Sequence, residues 1–407
     1  MKQLKTTKSY KIYQRAKRII PGGGVTESKK PTSLFGGEEF PAYFSKAQGS
    51  IITDVDGNKY IDYCMALGPI LLGYNYPAVN KAIEEQLHKG GLASLCNEKV
   101  VLLAEKLAEI IPCAEMVRFL KTGAEATAAA VRVSRAYTGR EKVLTCGYHG
   151  WHDWCNLGDG VPKVLKQYSF SFEFNNIESF KRLFNVHRKE LACVVMEPVI
   201  NIEPSREFLK EIRNSCSKAG VVLVFDEIKT GFRMAVGGAQ ERYKVVPDLA
   251  VFGKGMANGM PLAALAGRKE MMKVLQHAWV SSTYAGDVLS IAACLKVLEI
   301  IQNKPVIEHI WRLGDKMLDG FNRIALKYPE LVEAGGIAPM NFIRFRKGIA
   351  NCEKIDKYFF TETLKRGILL KRIAYNFICY SHTEKQIDYT LDVTETVIDN
   401  ICKKAFR

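Results

Sequence analysis

The sequence predicts an α/β fold, with a large domain built on a mostly parallel sheet, helices on both its faces, and a smaller α+β domain after it. Three observations carry this expectation. Short apolar runs of strand length alternate with segments of helical periodicity between residues 116 and 252. Runs such as residues 221–225 are apolar throughout instead of alternating, as strands buried on both faces are. From about residue 289 the rhythm changes to long helical stretches with fewer strands.

Taken in order, residues 4–20 read as an amphipathic helix that stops at Pro21-Gly22-Gly23-Gly24. Residues 51–61 read as a hairpin turning at Asp56-Gly57. Helical periodicity follows near 78–88 and 98–111. Strands are expected at 116–120, 142–146, 193–196, 221–225 and 249–252, with helices at 123–137 and 206–218. The last helix places Ile387, Leu391, Ile398 and Ile401 on one face, with Thr383 as its cap. The expected organisation is an N-terminal segment, residues 1–50, that packs with the small domain. A large domain over 51–305 and a small C-terminal domain over 306–407 complete it.

The chain has 407 residues, enough for two or three domains. Its 47% hydrophobic and 25% charged residues exclude a disordered or collagen-like chain. No run of about 18 apolar residues occurs, so no membrane span is expected. Eleven cysteines stand singly with no C-x-x-C pair, which points to free thiols in a reducing cytoplasm, with no disulfide framework and no metal site. No signal-peptide pattern opens the chain. The net charge is +15, and residues 1–30 are the most basic stretch. No helix-turn-helix or stacking sheet accompanies that charge, so it reads as a solvated surface on a protein of anionic ligands and not as a nucleic-acid site.

Ligands of open α/β sheets sit at the carboxyl ends of the strands. After 116–120 comes Lys121-Thr122-Gly123-Ala124-Glu125, a small-residue turn opening a helix, where free N–H groups suit a phosphate. After 142–146 comes Gly147-Tyr148-His149-Gly150-Trp151-His152-Asp153-Trp154, rings suited to a flat ligand. Asp226 follows 221–225 and is placed to bind a cation, orient a histidine or pair with a protonated ring nitrogen. Lys254, between two glycines after 249–252, is a candidate Schiff-base nucleophile. A phosphate cradle, an aromatic plate, an acid and a lysine together are what pyridoxal 5′-phosphate requires. No Walker motif or well-spaced dinucleotide fingerprint is present.

With Arg15 to Gly23, Asp54-Val55-Asp56-Gly57, the stretch Phe225-Asp226-Glu227-Ile228-Lys229-Thr230-Gly231-Phe232-Arg233, then Gly237-Gly238-Ala239-Gln240, Pro247-Asp248-Leu249 and Gly253-Lys254, the sequence resembles the class III, fold type I aminotransferases, in their glutamate-1-semialdehyde 2,1-aminomutase branch. The resemblance implies a pyridoxal-phosphate enzyme in which Lys254 forms the Schiff base and carries protons, and Asp226 pairs with the pyridinium nitrogen. It implies that Tyr148 stacks on one ring face, Ile228 packs on the other, and Gly123 and Ala124 bind the phosphate. Glu197 would lie near the cofactor and Asn201 at the ring hydroxyl. Thr283 would reach the phosphate in a neighbouring subunit, hence a homodimer. Lys30, His149 and Arg372 are the candidate substrate contacts. Departures fall in the substrate half. Lys30 stands for an arginine and Leu67 for a tryptophan. Asp287-Val288 replaces Asn-Pro, and the segment from Lys371 to Phe377 is shortened and lacks a glutamate. These departures favour ping-pong transfer from an amino donor to a separate carbonyl over intramolecular mutase chemistry, and the Tyr148 to Trp154 pattern resembles that of relatives suited to small or sugar-derived carbonyls in surface-polysaccharide pathways.

Overall fold

A computed structural model of the chain describes residues 4–372 and 375–404. Helix α1 (Thr7–Ala16) is shorter than the sequence suggests. Its buried face is Ser9, Tyr13 and Ala16, whereas Ile19, which extends the apolar pattern, is 82% exposed. Its first turn is capped from outside, since Asp56 accepts hydrogen bonds from the Lys8 and Ser9 N–H groups, each at 2.8 Å. A short α2 (Pro31–Phe35) leads into a meander of β1 (Phe44–Gln48), β2 (Ile51–Asp54) and β3 (Lys59–Asp62). The β2–β3 turn falls at Asp56-Gly57 as expected. Asp54 Oδ1 accepts from the Asp56 and Asn58 N–H groups, which closes it.

Helices α3 (Pro77–Leu87) and α4 (Lys99–Ile110) precede the large sheet. Its elements run β4 (Met116–Leu120), α5 (Gly123–Thr138), β5 (Lys142–Cys146), β6 (Ser169–Ser171), α6 (Ile177–His187), β7 (Leu191–Met196), α7 (Arg206–Ala219), β8 (Val222–Asp226), α8 (Ala239–Tyr243), β9 (Leu249–Phe252) and β10 (Ala263–Gly267). The seven strands lie in the order β4-β10-β9-β8-β7-β5-β6. β10 is antiparallel to both of its neighbours, and the β9-β8-β7-β5-β6 run is parallel. β4 and β9 therefore point the same way, and the carboxyl ends of β4, β5, β7, β8 and β9 share one edge. β7, β8 and β9 are buried at every position, which is why their sequences are apolar without alternation. α5 presents Ala126, Ala129 and Ala130 to the sheet, and these small side chains let the helix lie close on it. β10 escaped the sequence reading because Ala-Ala-Leu-Ala-Gly lacks the branched residues that mark strands. Its small side chains fit where the strand is buried on both faces.

Short α9 (Lys269–Met272), then α10 (Val288–Asn303), close this part, and α11 (Val306–Lys327) begins the C-terminal part. β11 (Val332–Ile337), β12 (Met340–Phe345), α12 (Cys352–Lys365), β13 (Ile368–Leu369), β14 (Asn376–Phe377) and α13 (Glu384–Lys404) follow. Thr383 caps α13, accepting from the Gln386 N–H at 3.3 Å while Gln386 Oε1 accepts from the Thr383 N–H at 3.0 Å.

The chain divides into two units, Pro77–Ile307 and Met1–Tyr76 together with Glu308–Arg407. The hairpin at 51–61, which the sequence reading gave to the large domain, belongs to the second unit. β3 pairs in parallel with β13, Ile61 opposite Ile368, and residues 368–369 are too distant in sequence for local patterning to announce that pairing. Ile373 and Ala374, inside the shortened segment from Lys371 to Phe377, lie outside the described residues. Among the described residues no helix is long and apolar enough to cross a membrane.

Candidate active site

Five strand ends of the large sheet deliver the site. Past β4, Thr122 caps α5 in a capping box: its Oγ1 accepts from the Glu125 N–H, and Glu125 Oε2 accepts from the Thr122 N–H at 2.8 Å and the Lys121 N–H at 3.0 Å. Glu125 thereby takes the donors before the helix. Gly123 and Ala124, as its first two residues, have no acceptor one turn earlier, so their N–H groups remain for a ligand.

Gly123 faces Ile228 so closely that a methyl group on it would fall 2.4 Å from Ile228 Cδ1. The turn that opens α5 and the residue two past Asp226 thus meet. The loop after β5 lies against the same helix. Thr127 Oγ1 donates to the His149 carbonyl at 2.8 Å, and Gly150, at φ +109°, leaves no room for a side chain over Ala124.

The central contact joins β5 to β8. His149 Nδ1 lies 2.7 Å from Asp226 Oδ2, and the two are 4% and 2% exposed. An ionised carboxylate only accepts, so Nδ1 carries the proton. Asp226 Oδ1 also accepts from the Ile228 N–H at 3.2 Å. His149 stacks on Trp154 with ring centroids 6.0 Å apart. Its Nε2 is buried without a hydrogen-bond partner. The candidate substrate contact His149 is therefore a buried partner of Asp226. The sequence places Asp226 where it can orient a histidine, but with the two residues 77 apart nothing local names which one.

Lys254 follows β9 at φ +41°, a left-handed conformation that costs a non-glycine residue about 1–3 kcal/mol and concentrates at functional sites. Loss of solvation pushes its amine pKa down, and the nearby Lys229 ammonium pushes the same way. Glu197, just past β7, pairs with Lys229 at 3.2 Å. Burial pushes the Glu197 carboxyl up, and Lys229 opposes that rise. The sequence does not single out Lys229, which is buried like the charged Asp226, Glu227 and Arg233 of the same stretch.

Glu227 serves the scaffold. It is fully buried and accepts from Thr230 Oγ1, the Ala239 N–H at 2.8 Å and the Gln240 N–H at 2.9 Å. It thereby holds Gly237 to Gln240 against the end of β8, which explains why those two motifs travel together.

The remaining expected residues are more dispersed. Tyr148 is 71% exposed, and Asn201 and Thr283 are exposed. Thr283 opens a short turn that reaches Asp287, which caps α10 and pairs with Lys121 at 2.8 Å. Lys30 and Arg372 belong to the other unit, where Lys30 pairs with Glu27 and Arg372 with Asp356 at 2.7 Å. Lys371 there donates to the Ser28 carbonyl at 2.8 Å.

The sequence model of the class-III aminotransferases matches residues 35–397. The chain belongs to the class-III aminotransferase family. It is 33% identical over 411 residues to the 3-aminobutyryl-CoA aminotransferase of Cloacimonas acidaminovorans, covering 98% of this chain and 99% of that one. It is 36% identical over 427 residues to a glutamate-1-semialdehyde 2,1-aminomutase of Methanosarcina acetivorans, covering 97% and 98%. Among solved structures, the FumI protein of Sphingopyxis sp. MTA144, with its pyridoxal phosphate, superposes with a TM-score of 0.91 at 28% identity, covering 98% of this chain and 97% of that one.

This class-III aminotransferase is an enzyme of fold type I that uses pyridoxal 5′-phosphate. The residues present fit that group. Its reactive aldehyde needs a lysine of lowered proton affinity, its basic ring nitrogen a buried carboxylate, and its phosphate a set of open N–H groups. A methyl group at Gly123 would have to displace Ile228, and His149 Nδ1 is hydrogen-bonded to Asp226.

Proposed function

We propose that this enzyme moves an amino group from a donor to a separate carbonyl acceptor in two half-reactions, with Lys254 as the residue that holds the cofactor covalently. The observation that carries the reading is the convergence of Lys254, Asp226 with His149 behind it, and the Gly123–Ile228 contact at one sheet edge. The bound cofactor supplies an electron-accepting ring for the bonds at the substrate Cα. The chain's own residues do the rest. Lys254 Nζ, whose proton affinity burial lowers, would take the proton from Cα and return it to the carbon at the other end of the transferred amine. Asp226, hydrogen-bonded to His149 Nδ1 and to the Ile228 N–H, would pair with the ring nitrogen. Gly123 and Ala124 hold the phosphate through their N–H groups, and Tyr148 and Ile228 enclose the ring. Glu197 lies beside it, and Asn201 serves the ring hydroxyl.

Transfer between separate molecules is supported by the departures at Lys30 and Leu67, since a mutase must retain its intermediate in a matched pocket. The similarity to a 3-aminobutyryl-CoA aminotransferase agrees with it. The acceptor is read as a small or sugar-derived carbonyl, with a place in surface-polysaccharide synthesis resting on the Tyr148 to Trp154 pattern alone. Thr283 is read as completing the site of a second subunit in a homodimer, and Lys30 and Arg372 as charges toward an anionic substrate group.

The test is the visible spectrum of the purified protein with a panel of single amino donors. Colour that borohydride bleaches, absent in Lys254→Ala, supports the lysine's role. A donor that shifts the spectrum and releases a keto acid supports transfer between molecules. Turnover of glutamate 1-semialdehyde with no stable half-reaction from any donor makes it a mutase. A protein that stays colourless with added cofactor refutes the reading.

A further inference from the structure

Lys121 stands directly before the turn that opens α5, and its N–H belongs to the capping box there, bonded to Glu125 Oε2 at 3.0 Å. Its side chain reaches two other segments. Nζ donates to the Pro261 carbonyl at 3.0 Å, to Asp287 Oδ2 at 2.8 Å and to Ser290 Oγ at 3.3 Å, which uses all three ammonium hydrogens. The Lys121 and Asp287 side chains are 13% and 17% exposed. Pro261 sits on the frame of the sheet, since Ala263, two residues on, opens β10 and pairs with Leu120. Asp287 instead ends the turn Thr283–Gly286. That turn is closed by the Ala285 N–H to the Ser282 carbonyl at 3.1 Å and the Asp287 N–H to the Tyr284 carbonyl at 3.0 Å. Thr283 and Tyr284 at its head are exposed. Asp287 also caps α10, but a cap needs no charge, because asparagine serves as well as aspartate. What the carboxylate adds is a partner for the ammonium.

We propose that Lys121 is a positioning residue for cofactor binding: its bridge to Asp287 fixes the turn that carries Thr283 to the sheet edge where the turn of Gly123 and Ala124 begins. The inference rests on the reading of Thr283 as a contact to the cofactor phosphate of the neighbouring subunit. One ammonium then sets the spacing between the segment that holds a subunit's own phosphate and the segment it lends to the other subunit. Without the bridge, the exposed turn must be ordered as the phosphate binds, and that entropy is lost from the affinity.

The experiment titrates the full-length enzyme, stripped of cofactor, with pyridoxal 5′-phosphate and with pyridoxal, which has no phosphate, and reads affinity from the visible absorbance. Lys121→Met and Asp287→Asn are each expected to bind pyridoxal phosphate at least about tenfold more weakly, the scale of one lost charged hydrogen bond. Asp287→Asn keeps the cap of α10 and decides the matter where Lys121→Met folds poorly. Lys121→Arg, which retains a charged donor for Asp287, is expected to stay within about threefold of wild type. Because Lys121 acts through Thr283, the double variant Lys121→Met with Thr283→Ala is expected to bind within about threefold of Thr283→Ala alone. Pyridoxal is expected to bind wild type and every variant alike. A purely structural role predicts lower melting temperatures with unmoved affinities. Bridge variants that bind pyridoxal phosphate as wild type does, an equal loss toward pyridoxal, or losses that add in the double variant overturn the inference. If Thr283→Ala alone binds pyridoxal phosphate as wild type does, the reading of Thr283 falls, and this inference with it.

Discussion

Replacing His149 by Phe tests whether Asp226 works through its buried partner. The ring keeps its shape beside Trp154 but loses the hydrogen bond at 2.7 Å, leaving Asp226 with the Ile228 N–H at 3.2 Å. A hydrogen bond to a charged group is worth about 1.5–3 kcal/mol, and Asp226 at 2% exposure has little water to replace it. If that energy is felt in the transition state, the donor half-reaction slows about 10- to 150-fold. The assay is stopped-flow absorbance of the holoenzyme against donor concentration. On the proposed role of Asp226 as partner of the cofactor and not of the donor, the limiting rate should fall while the donor concentration for half-saturation stays within about threefold. Cofactor affinity, measured by titrating the apoenzyme, should weaken in parallel. A limiting rate within about threefold of wild type, in a variant that binds cofactor normally, would refute the argument and reduce the His149–Asp226 contact to packing.

Three further outcomes follow from the same geometry. Gly123→Val places its side chain against Ile228, where even a methyl carbon would fall 2.4 Å from Cδ1, so cofactor affinity should drop at least about tenfold with the fold intact by circular dichroism. Glu227→Gln turns an amide N–H toward donors from Thr230, Ala239 or Gln240, which should cost about 2–4 kcal/mol in urea unfolding. His382, fully buried and stacked on Tyr63, has its pKa pushed down to about 3 by burial. The folded protein therefore binds that proton less tightly than the unfolded chain. The contribution to stability is complete above the ordinary histidine range and is lost as pH falls from about 6.5 toward 3, with a slope of up to about 1.4 kcal/mol per pH unit. In His382→Gln, denaturation midpoints measured between pH 7 and 4 should show a shallower decline, whatever their plateau.

The sequence alone determined the elements whose cause is local. The apolar runs of β7, β8 and β9 announce themselves because strands buried on both faces have no polar side. The cap at Thr383 is a local spacing pattern, and the Asp56-Gly57 turn is a dipeptide. The candidate residues Gly123, Asp226 and Lys254 were legible because parallel strands put their carboxyl ends on one edge, so each strand's end nominates a residue. Tertiary structure decided what needed distant partners. α1 ends at Ala16, and the hairpin at 51–61 joins β13 across some 300 residues. β10 becomes a strand because its small side chains fit between β4 and β9, against every local preference of alanine. His149 pairs with Asp226 and Lys229 with Glu197 because three neighbouring strands bring them together, and nothing in either short segment encodes its partner. Local patterning records the periodicity and end signals of single elements, whereas pairing between strand ends is written only in the order in which the strands assemble.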